Sequence, residues 1–198
     1  MQRTVRVQLD PSPGQAAHLA ETLAQFTSAF NQAVRIGWDE GITNATKLHY
    51  AAYYPVKHAH PSLVSDLVNQ ARIKAAETLR SAFVLERRGC KVSQPVSANC
   101  PARLNKNTFR VDWESCTVRL STTAGRQTIR FHVPAYAIRY TGYPVDTADL
   151  FFRNERWWLH VVVTVPPPAI APCGAVVGVD LGLAQPAVTS TGRCTERL

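Results

Sequence analysis

A single β-strand stands at the start of this chain, separated from every other predicted strand by residues 10–107. In residues 3–9, RTVRVQL, apolar side chains alternate with polar ones, which is the pattern of a half-buried strand. The alternating pattern returns only at TFRVD, which begins at Thr108. Because an unpaired strand leaves its backbone N–H and C=O groups without partners, this segment must return to a sheet formed much later in the chain.

Two long helices are predicted between the first strand and the later ones. The first has Ser12 as its N-cap and Pro13 at its first position, and it runs to about Gly37. The second spans residues 62–88, and residues 38–60 between them, rich in Tyr, His and Pro, are predicted to be irregular. Apolar residues at helical spacing predict the buried stripes of the two helices: Leu19, Leu23, Phe26, Phe30 and Val34 in the first, and Leu63, Leu67, Ala71, Ala75, Leu79 and Ala82 in the second.

The later part of the chain has the pattern of antiparallel strands. Residues 90–107 are predicted to be a loop, after which TFRVD, CTVRLST and QTIRFHV alternate with period two. Ala124-Gly125 is predicted to turn the last two of these into a hairpin, and Asn154-Glu155 to join ADLFFRN to WWLHVVVTV. Together with the lone first strand, this order predicts an α+β fold, in which an antiparallel β-barrel-like module carries a helical insertion with two long helices.

The boundaries of the predicted parts follow from these patterns. Residues 1–10 and 89–165 form the β module, and residues 11–88 form the helical insertion. A run of three prolines begins a proline-rich linker over residues 166–174. Residues 175–198 then begin a new unit.

Positive charge is concentrated in one part of the sequence. The net charge is +8, and residues 61–130 hold twelve lysines and arginines against five acidic residues. Such a concentration favours a polyanionic partner, of which nucleic acid is the commonest. A solvated basic surface without a partner is the alternative.

Several other classes of protein are not supported by the sequence. The five cysteines are scattered without a C-x-x-C pair, so neither a zinc site nor a disulfide framework is predicted, and a reduced, intracellular protein is expected. His49, His58 and His60 lack an acidic or cysteine ligand at an established spacing, which favours hydrogen-bonded or solvated histidines over a metal site. No apolar run reaches the roughly 18 residues of a membrane span, and no signal-peptide pattern begins the chain, so no membrane partner is expected.

Asp180 is the candidate catalytic residue of the last unit. It interrupts the apolar run of AVVGVDLGLAQPAVTSTG, residues 175–192, which predicts a buried strand, a turn at Leu181-Gly182 and a second strand. A carboxylate among core residues is costly unless it is paired, hydrogen-bonded or bound to a metal. The segment resembles the opening of the RNase H-like nucleases, whose aspartate at this place binds a divalent metal that activates water. The start of the actin- and Hsp70-like ATPases is a weaker resemblance, and an aspartate that caps the turn is the alternative without catalysis.

Over nearly its whole length the sequence resembles TnpB, the transposon-encoded RNA-guided DNA nucleases, and the compact type V CRISPR effectors. RTVRVQLDPSPGQ is similar to the opening strand and turn of that family, TSAFNQAV to a segment of its first helix, and NQARIKAAETLRSAF to its second recognition helix. TFRVDWESCTVRL, IRFHVP and WWLHVVVTVPPP are similar to strands of its wedge domain. VVGVDLGLAQPAVTSTG is similar to its first RuvC-like segment and is the most specific of these matches.

The resemblance implies a role for each part of the chain. The β module would be a wedge-like module and the helical insertion a recognition module, which together bind a guide RNA and a short DNA duplex motif beside the target, with basic side chains on the phosphates. The candidates for contact with the motif duplex are Asn69, Gln70, Arg72 and Lys74. Arg80 on the same helix is also expected to face a partner. The candidates for contact with the RNA backbone are Arg103 and Lys106. Solvated side chains are the alternative at each of these positions.

The resemblance also implies that residues 175–198 are the first strands of an RNase H-like (RuvC) domain. The nuclease of this family needs three carboxylates, of which Asp180 alone is recognised before Leu198, since Glu196 lies too close to serve as the family glutamate. One carboxylate does not hold a two-metal site, so Mg²⁺ or Mn²⁺ is expected only with carboxylates from a further segment or a second chain, and this chain alone is expected not to cut DNA.

Two further functions remain open at this point. One is a non-catalytic RNA-guided DNA-binding protein that occupies its site as a repressor does. The other is a small RNA-binding protein with no DNA partner. In each case the expected location is the cytoplasm of a prokaryote, in association with the nucleoid.

Overall fold

The computed structural model of the chain describes residues 1–167, 177–180 and 187–192. The chain divides into two units, Met1–Val165 and Pro166–Leu198. The first unit holds a seven-stranded sheet and three α-helices, and the described residues of the second hold a two-stranded sheet. Three predicted features lie outside the described residues: positions 168–174 of the linker, the turn at Leu181-Gly182, and Glu196.

The first strand and the first helix form where the sequence predicts them. Strand β1 spans Gln2–Asp10 and helix α1 spans Pro13–Asp39. The Oγ of Ser12 accepts a hydrogen bond from the backbone N–H of Gln15 at 3.4 Å, and the side chain of Gln15 accepts one from the N–H of Ser12 at 3.0 Å. This capping box satisfies two N–H groups that the first helical turn leaves unpaired, and it confirms the predicted N-cap.

The segment predicted to be irregular contains a helix. Helix α2 spans Ala45–Ala59 and continues through Pro55. Asn44 caps it, since its Oδ1 accepts hydrogen bonds from the N–H groups of Thr46 at 2.9 Å and Lys47 at 3.1 Å. The buried residues of α2 are Leu48, Ala52 and Val56. Only every fourth side chain is buried and Pro55 interrupts the segment, so its helical period is weak in the sequence. The prediction of irregular structure is wrong.

The last helix packs on the other two and completes a helical layer. Helix α3 spans Ser65–Arg87, and the stripe predicted for this region is buried throughout. In the stripe predicted for α1, Leu23 alone stays partly exposed. Across the described ranges, no helix combines the length and the apolar character needed to cross a membrane.

The remaining strands of the first unit form one antiparallel sheet with β1. They are β2 Ala102–Leu104, β3 Phe109–Asp112, β4 Thr117–Thr122, β5 Gly125–His132, β6 Val145–Arg153 and β7 Arg156–Thr164. The strand order is β2-β6-β7-β1-β5-β4-β3, so the lone first strand of the sequence lies in the centre of the sheet.

Both predicted hairpins are present. In the first, Thr123-Ala124 forms the turn, and Gly125 begins β5 with a φ of 88° that favours glycine. In the second, Asn154 and Glu155 form the turn with φ values of 50° and 58°. Positive φ at both central residues fits the right-handed twist of the flanking strands. Strand β2 lies within the segment predicted to be a loop and pairs with β6.

A four-residue connection forces the sheet to curl into a nearly closed barrel. Strands β2 and β3 are the two edges of the sheet, yet only residues 105–108 join them. At strand spacings of about 4.8 Å, the edges of a flat sheet of this size lie about 29 Å apart, whereas this connection spans at most about 17 Å. The Asn105 side chain holds the connection tight, because its Oδ1 accepts hydrogen bonds from the N–H groups of Asn107 at 3.0 Å and Thr108 at 3.2 Å.

The inward face of the barrel carries the alternating apolar side chains that the strand patterns predict. On β1 these are Val5, Val7 and Leu9, all fully buried or nearly so. Val5 lies opposite Val161 of β7, and Val7 lies opposite Leu159. The buried residues of the barrel and of the helices form one continuous hydrophobic core. The α+β class and the barrel-like sheet predicted from the sequence are confirmed.

Gly37 permits the close approach of the three helices. A Cβ built at this position of α1 would meet the Cδ1 atom of Leu79 from α3, lie 3.1 Å from the Cδ1 atom of Leu48 from α2, and lie 3.2 Å from the carbonyl oxygen of Ile42. Leu48 and Leu79 are fully buried, and side chains in a close-packed core move only at a cost.

We expect Gly37→Ala to lower the free energy of unfolding by about 1–3 kcal/mol, because overpacking a filled core outweighs the roughly 1 kcal/mol by which alanine favours a helix. Denaturant titration of both proteins measures the difference. Gly14→Ala is the matched control in the same helix, since a Cβ there meets no atom within 4 Å. Equal effects of the two substitutions would contradict the close approach.

Candidate nucleic-acid interface

A basic pocket lies on the exposed face of strands β3, β4 and β5. Its volume is about 520 Å³, and its lining residues are Asp66, Lys106, Asn107, Phe109, Arg110, Arg119 and Arg126. Side chains alternate between the two faces of a strand, so the arginines point away from the barrel interior while Val118 and Leu120 point into it. Lys106 comes from the tight connection between β2 and β3.

The strand register places two of these arginines directly opposite each other. Arg110 on β3 pairs with Arg119 on β4, and on the next pair of strands Ser121 lies opposite Arg126. Like charges directly across a strand pair are destabilising. The fold therefore maintains a concentration of positive charge that costs it stability.

The four basic side chains of the pocket have no acidic partner of their own. Among the described residues, no ion pair includes Lys106, Arg110, Arg119 or Arg126. Arg126 donates a hydrogen bond from Nη2 to the carbonyl oxygen of Asn107 at 3.2 Å, which fixes its position without neutralising its charge. Guanidinium groups without an internal counter-charge are suited to phosphate oxygens.

The two carboxylates nearest to these arginines are bound by other groups. Asp66 Oδ1 accepts hydrogen bonds from the side-chain amides of Asn105 at 3.2 Å and Asn107 at 3.4 Å. Asp112 accepts a hydrogen bond from the backbone N–H of Ser115 at 3.2 Å, which is the main reason that its pKa is lowered. The pocket thus keeps an excess of positive charge that an external anion can neutralise.

Two of the sequence-predicted site residues on α3 hold the helices in place. Lys74 Nζ forms an ion pair with Asp149 Oδ1 of β6 at 3.0 Å and donates to the carbonyl oxygen of Pro101 at 2.7 Å. Arg72 donates from Nη1 to the carbonyl oxygen of Ala45 at the start of α2. Burial lowers the pKa of Arg72. These contacts join α3 to the barrel and to α2.

Arg103 on β2 forms a two-point ion pair with α3. Its Nη1 and Nη2 atoms donate to the two carboxylate oxygens of Glu77 at 2.8 and 3.0 Å. This pairing is the main reason that the pKa of Glu77 is lowered and that of Arg103 is raised. The guanidinium is therefore already occupied within the protein.

The other predicted residues have no such partner. The amides of Asn69 and Gln70 are half-buried on α3 and make no side-chain hydrogen bond within the described residues. Arg80 on the same helix and Lys106 are exposed. Lys106 is the one predicted residue that lines the basic pocket, while Asn69, Gln70, Arg72, Lys74 and Arg80 lie on α3 and Arg103 lies on β2.

Sequence reasoning missed Arg110, Arg119 and Arg126. Arg110 and Arg119 occupy outward positions of predicted strands, Arg126 lies between the predicted turn and the predicted strand QTIRFHV, and the predicted hairpin already joins β4 to β5. Extending that pairing by one strand to TFRVD gives the Arg110–Arg119 register. The signal was therefore present in the period-two pattern, but it needed the order of the strands in the sheet.

Asp180 belongs to the second unit. Strand β8, Val179–Asp180, pairs with β9, Val188–Thr189, and Asp180 lies opposite Val188. The prediction of a buried strand is wrong, because Asp180 is exposed and Val177 and Val179 are 50% and 58% exposed. Two paired strands bury neither of their own faces, so apolar side chains on them stay exposed until a further layer packs on them.

No metal centre is formed by the residues that the structure describes. Within residues 1–167, 177–180 and 187–192, no three His, Cys, Asp or Glu side chains are grouped so that they could hold a metal ion. Asp180 alone does not fit a divalent metal with two-metal chemistry, which needs several carboxylates. The expectation of Mg²⁺ or Mn²⁺ therefore stays a prediction that depends on further ligands.

The fold of the chain resembles that of one solved protein. It is similar to the protein in a cryo-EM structure of the Cas12f1-sgRNA-target DNA complex, with a TM-score of 0.57 and 12% sequence identity. The match covers 88% of this chain and 48% of the other, so this chain spans about half the length of that protein. No protein-family model and no curated protein sequence matches the chain. The fold relationship expected from the sequence resemblance is thereby confirmed.

We expect Arg103→Gln to lower the free energy of unfolding at pH 7, because the substitution leaves Glu77 without its partner. Since Arg103 depresses the pKa of Glu77, the stabilisation is fully present above the unfolded pKa of about 4.3 and is lost as the pH falls through the folded pKa. Denaturant titrations of variant and wild type from pH 7 to pH 3 therefore show a difference that shrinks in acid.

Glu77→Gln provides the second arm of this measurement. It is expected to cause the same loss at pH 7, and the double variant is expected to lose no more than either single one. A difference between Arg103→Gln and wild type that does not depend on pH would contradict the pairing.

Proposed function

We propose that the first unit binds a guide RNA and the DNA duplex beside the target, as part of a TnpB-like RNA-guided DNA endonuclease. The observation that carries this proposal is the basic pocket, where the sheet register holds Arg110, Arg119 and Arg126 together without an acidic partner of their own. Placing like charges together costs stability in the free protein, and phosphate groups of a nucleic acid relieve that cost. The Cas12-like fold supports the same interpretation, since the Cas12f1 protein of similar fold is in complex with sgRNA and target DNA.

In this proposal the pocket binds the RNA backbone and α3 faces the DNA duplex. Lys106 lies with the arginines and would contact phosphates beside them. Asn69 and Gln70 present amides without internal partners among the described residues, and an amide can form a two-point hydrogen bond with adenine. Arg80, exposed on the same helix, would contact the duplex or its phosphates.

Arg72, Lys74 and Arg103 have a second role in the proposal. Each is bound within the protein, to Ala45, Asp149 and Glu77 respectively, so each fixes the position of α3 before it meets nucleic acid. A nucleic-acid phosphate would share these cations with their internal partners rather than find them free.

Asp180 is proposed as one ligand of a divalent metal in the complete nuclease. A bound Mg²⁺ or Mn²⁺ would supply an activated water for phosphodiester hydrolysis. The other carboxylates would come from a further segment or a second chain. The exposed Val177 and Val179 support this part, since they leave room for further strands or a packing layer.

We expect the chain, purified from cells that carry its native flanking DNA, to contain one discrete structured RNA. With that RNA, the Arg110→Gln–Arg119→Gln double variant is expected to bind more weakly. The slope of log K against log salt concentration is expected to fall by roughly two, about one for each phosphate that these arginines neutralise in the wild type. Filter binding over a series of salt concentrations measures both.

Arg3→Gln is the matched control, because Arg3 is an exposed arginine of the same barrel outside the pocket. It is expected to leave the salt slope unchanged. Heterogeneous RNA or none in the purified protein would overturn the guide-RNA function, and a double variant that binds like Arg3→Gln would overturn the assignment to this pocket.

A non-catalytic RNA-guided DNA-binding protein is the second candidate, favoured by the lack of a metal-binding group around Asp180 in the described residues. A DNA-cleavage assay distinguishes the two candidate functions. It uses the complex of this chain with its RNA and with a polypeptide that carries the remaining carboxylates. We expect the complex to cut DNA that matches the guide, and Asp180→Ala to abolish cutting while DNA binding persists. Binding without cutting in the unsubstituted complex supports the second candidate instead.

A further inference from the structure

The hairpin formed by β6 and β7 carries a sequence symmetry that the proposed function does not use. Its tip reads FFRNERWW, residues 151–158, and the register pairs Phe151 with Trp158, Phe152 with Trp157, and Arg153 with Arg156. Two aromatic pairs and one arginine pair therefore follow each other toward the turn. Successive residues of a strand face opposite sides, so each side of the hairpin receives one aromatic pair.

The two aromatic pairs lie on opposite sides of the tip, and the pair of Phe152 and Trp157 is partly open to solvent. Phe152 is 50% exposed, and its ring centroid lies 4.9 Å from that of Trp157, which is nearly buried. Phe151 packs edge-on against His160 with centroids 4.5 Å apart. Burial lowers the pKa of His160, and the charge of Arg6 adds to this effect. A half-exposed phenylalanine, backed by a buried tryptophan whose ring is tilted by 51° to it, forms an apolar platform.

These rings form one wall of a groove of about 1330 Å³. The opposite wall is the first half of α1, whose groove-lining residues are small or apolar and carry no charge: Ala16, Ala17, Ala20, Leu23, Ala24, Thr27 and Ser28. Small-molecule pockets occupy about 300–1,000 Å³, so this groove has room for more than one group of nucleotide size. An uncharged wall is unusual for phosphates and suits the flat faces of bases.

Positive charge borders the platform. Arg153 and Arg156 are exposed, lie directly opposite each other and take part in no ion pair among the described residues, and neither does Glu155 in the turn between them. Arg156 donates from Nη1 to Gln8 Oε1 at 3.2 Å, which keeps its charge. Like charges across a strand pair are again a cost that an anion relieves. Arg153 lines the groove, so an apolar peptide there would leave this cation without a partner, whereas a nucleotide supplies both a base and a phosphate.

We propose that the hairpin tip stacks unpaired bases of the RNA strand on Phe152, with Trp157 behind it and Arg153, which lines the same groove, on an adjoining phosphate. The inference rests on the proposed function, because it gives the RNA a second contact on the same barrel. The basic pocket takes the backbone, and the hairpin takes bases that are not in a helix. Stacking on aromatic side chains is the usual way in which proteins hold unpaired bases, and it tolerates any base.

Three probes of equal length test this assignment on the full chain: a single-stranded RNA, the same strand with abasic sites, and an RNA duplex. We expect Phe152→Ala to weaken binding of the single-stranded RNA by about fivefold to 100-fold, the effect of losing one stacked base. Binding of the abasic strand and of the duplex is expected to stay within about twofold of wild type, because neither offers an unpaired base to the ring. Fluorescence polarisation of labelled probes measures all three.

Three further variants serve as controls. Phe152→Trp is expected to restore binding because it keeps an aromatic face, whereas Phe152→Leu, which keeps apolar bulk without the ring, is expected to behave as Phe152→Ala does. Ile138→Ala removes another exposed apolar side chain outside the hairpin and is expected to change nothing.

The result separates this inference from the proposed function. If the wild type binds none of the probes, the RNA-binding function itself fails. If the wild type binds single-stranded RNA but Phe152→Ala binds it equally well, or loses affinity equally for the abasic strand, the stacking site is overturned while the basic pocket stands. An equal loss of affinity for the RNA duplex would also overturn the assignment to unpaired bases.

Discussion

The pairing of β1 with β7, over eight residue pairs from Gln2–Thr164 to Leu9–Trp157, is the contact on which the first unit depends. It places the first strand of the sequence in the middle of the sheet, with β5, β4 and β3 on one side and β7, β6 and β2 on the other. The basic pocket belongs to the first group of strands and the aromatic hairpin to the second. Helix α1 follows β1 directly, so the same pairing also places α1 beside the hairpin and creates the groove between them.

Elements with a strong local pattern could be predicted from the sequence, and elements defined by their neighbours could not. The cap at Ser12 and the period-two strands depend on residues close in sequence, and they form as predicted. Helix α2 depends on three apolar side chains that meet α1 and α3, and its interior Pro55 argues locally against a helix. Strand β2 is three residues long and exists because β6 pairs with it. In both cases tertiary contacts decide the structure.

The candidate site shows the same division between composition and geometry. The excess of positive charge in residues 61–130 is visible in the sequence, but composition does not distinguish a cation with an internal partner from one without. Lys74 and Arg103 form ion pairs with carboxylates on neighbouring elements, whereas Arg110 and Arg119, which lie opposite each other, form no ion pair among the described residues. The partner of Lys74 is Asp149 and the partner of Arg103 is Glu77. Neither pairing can be read from the period of a helix or a strand. The sequence therefore sets the amount of charge, and the sheet register decides which part of it is available to a ligand.

The central position of β1 has a consequence for synthesis of the protein. During translation at about 5–20 residues per second, β1 leaves the ribosome roughly ten to thirty seconds before β7 is complete, and the helices form in the meantime. Until β5 and then β7 pair with it, β1 is an unpaired strand, which is a template for association with other nascent chains. Arg6 lies at an outward position between the buried Val5 and Val7, and the exposed Arg3 precedes them; charges within an apolar strand oppose such association. The polar half of the first strand thus keeps the growing chain soluble until its partner strand is made.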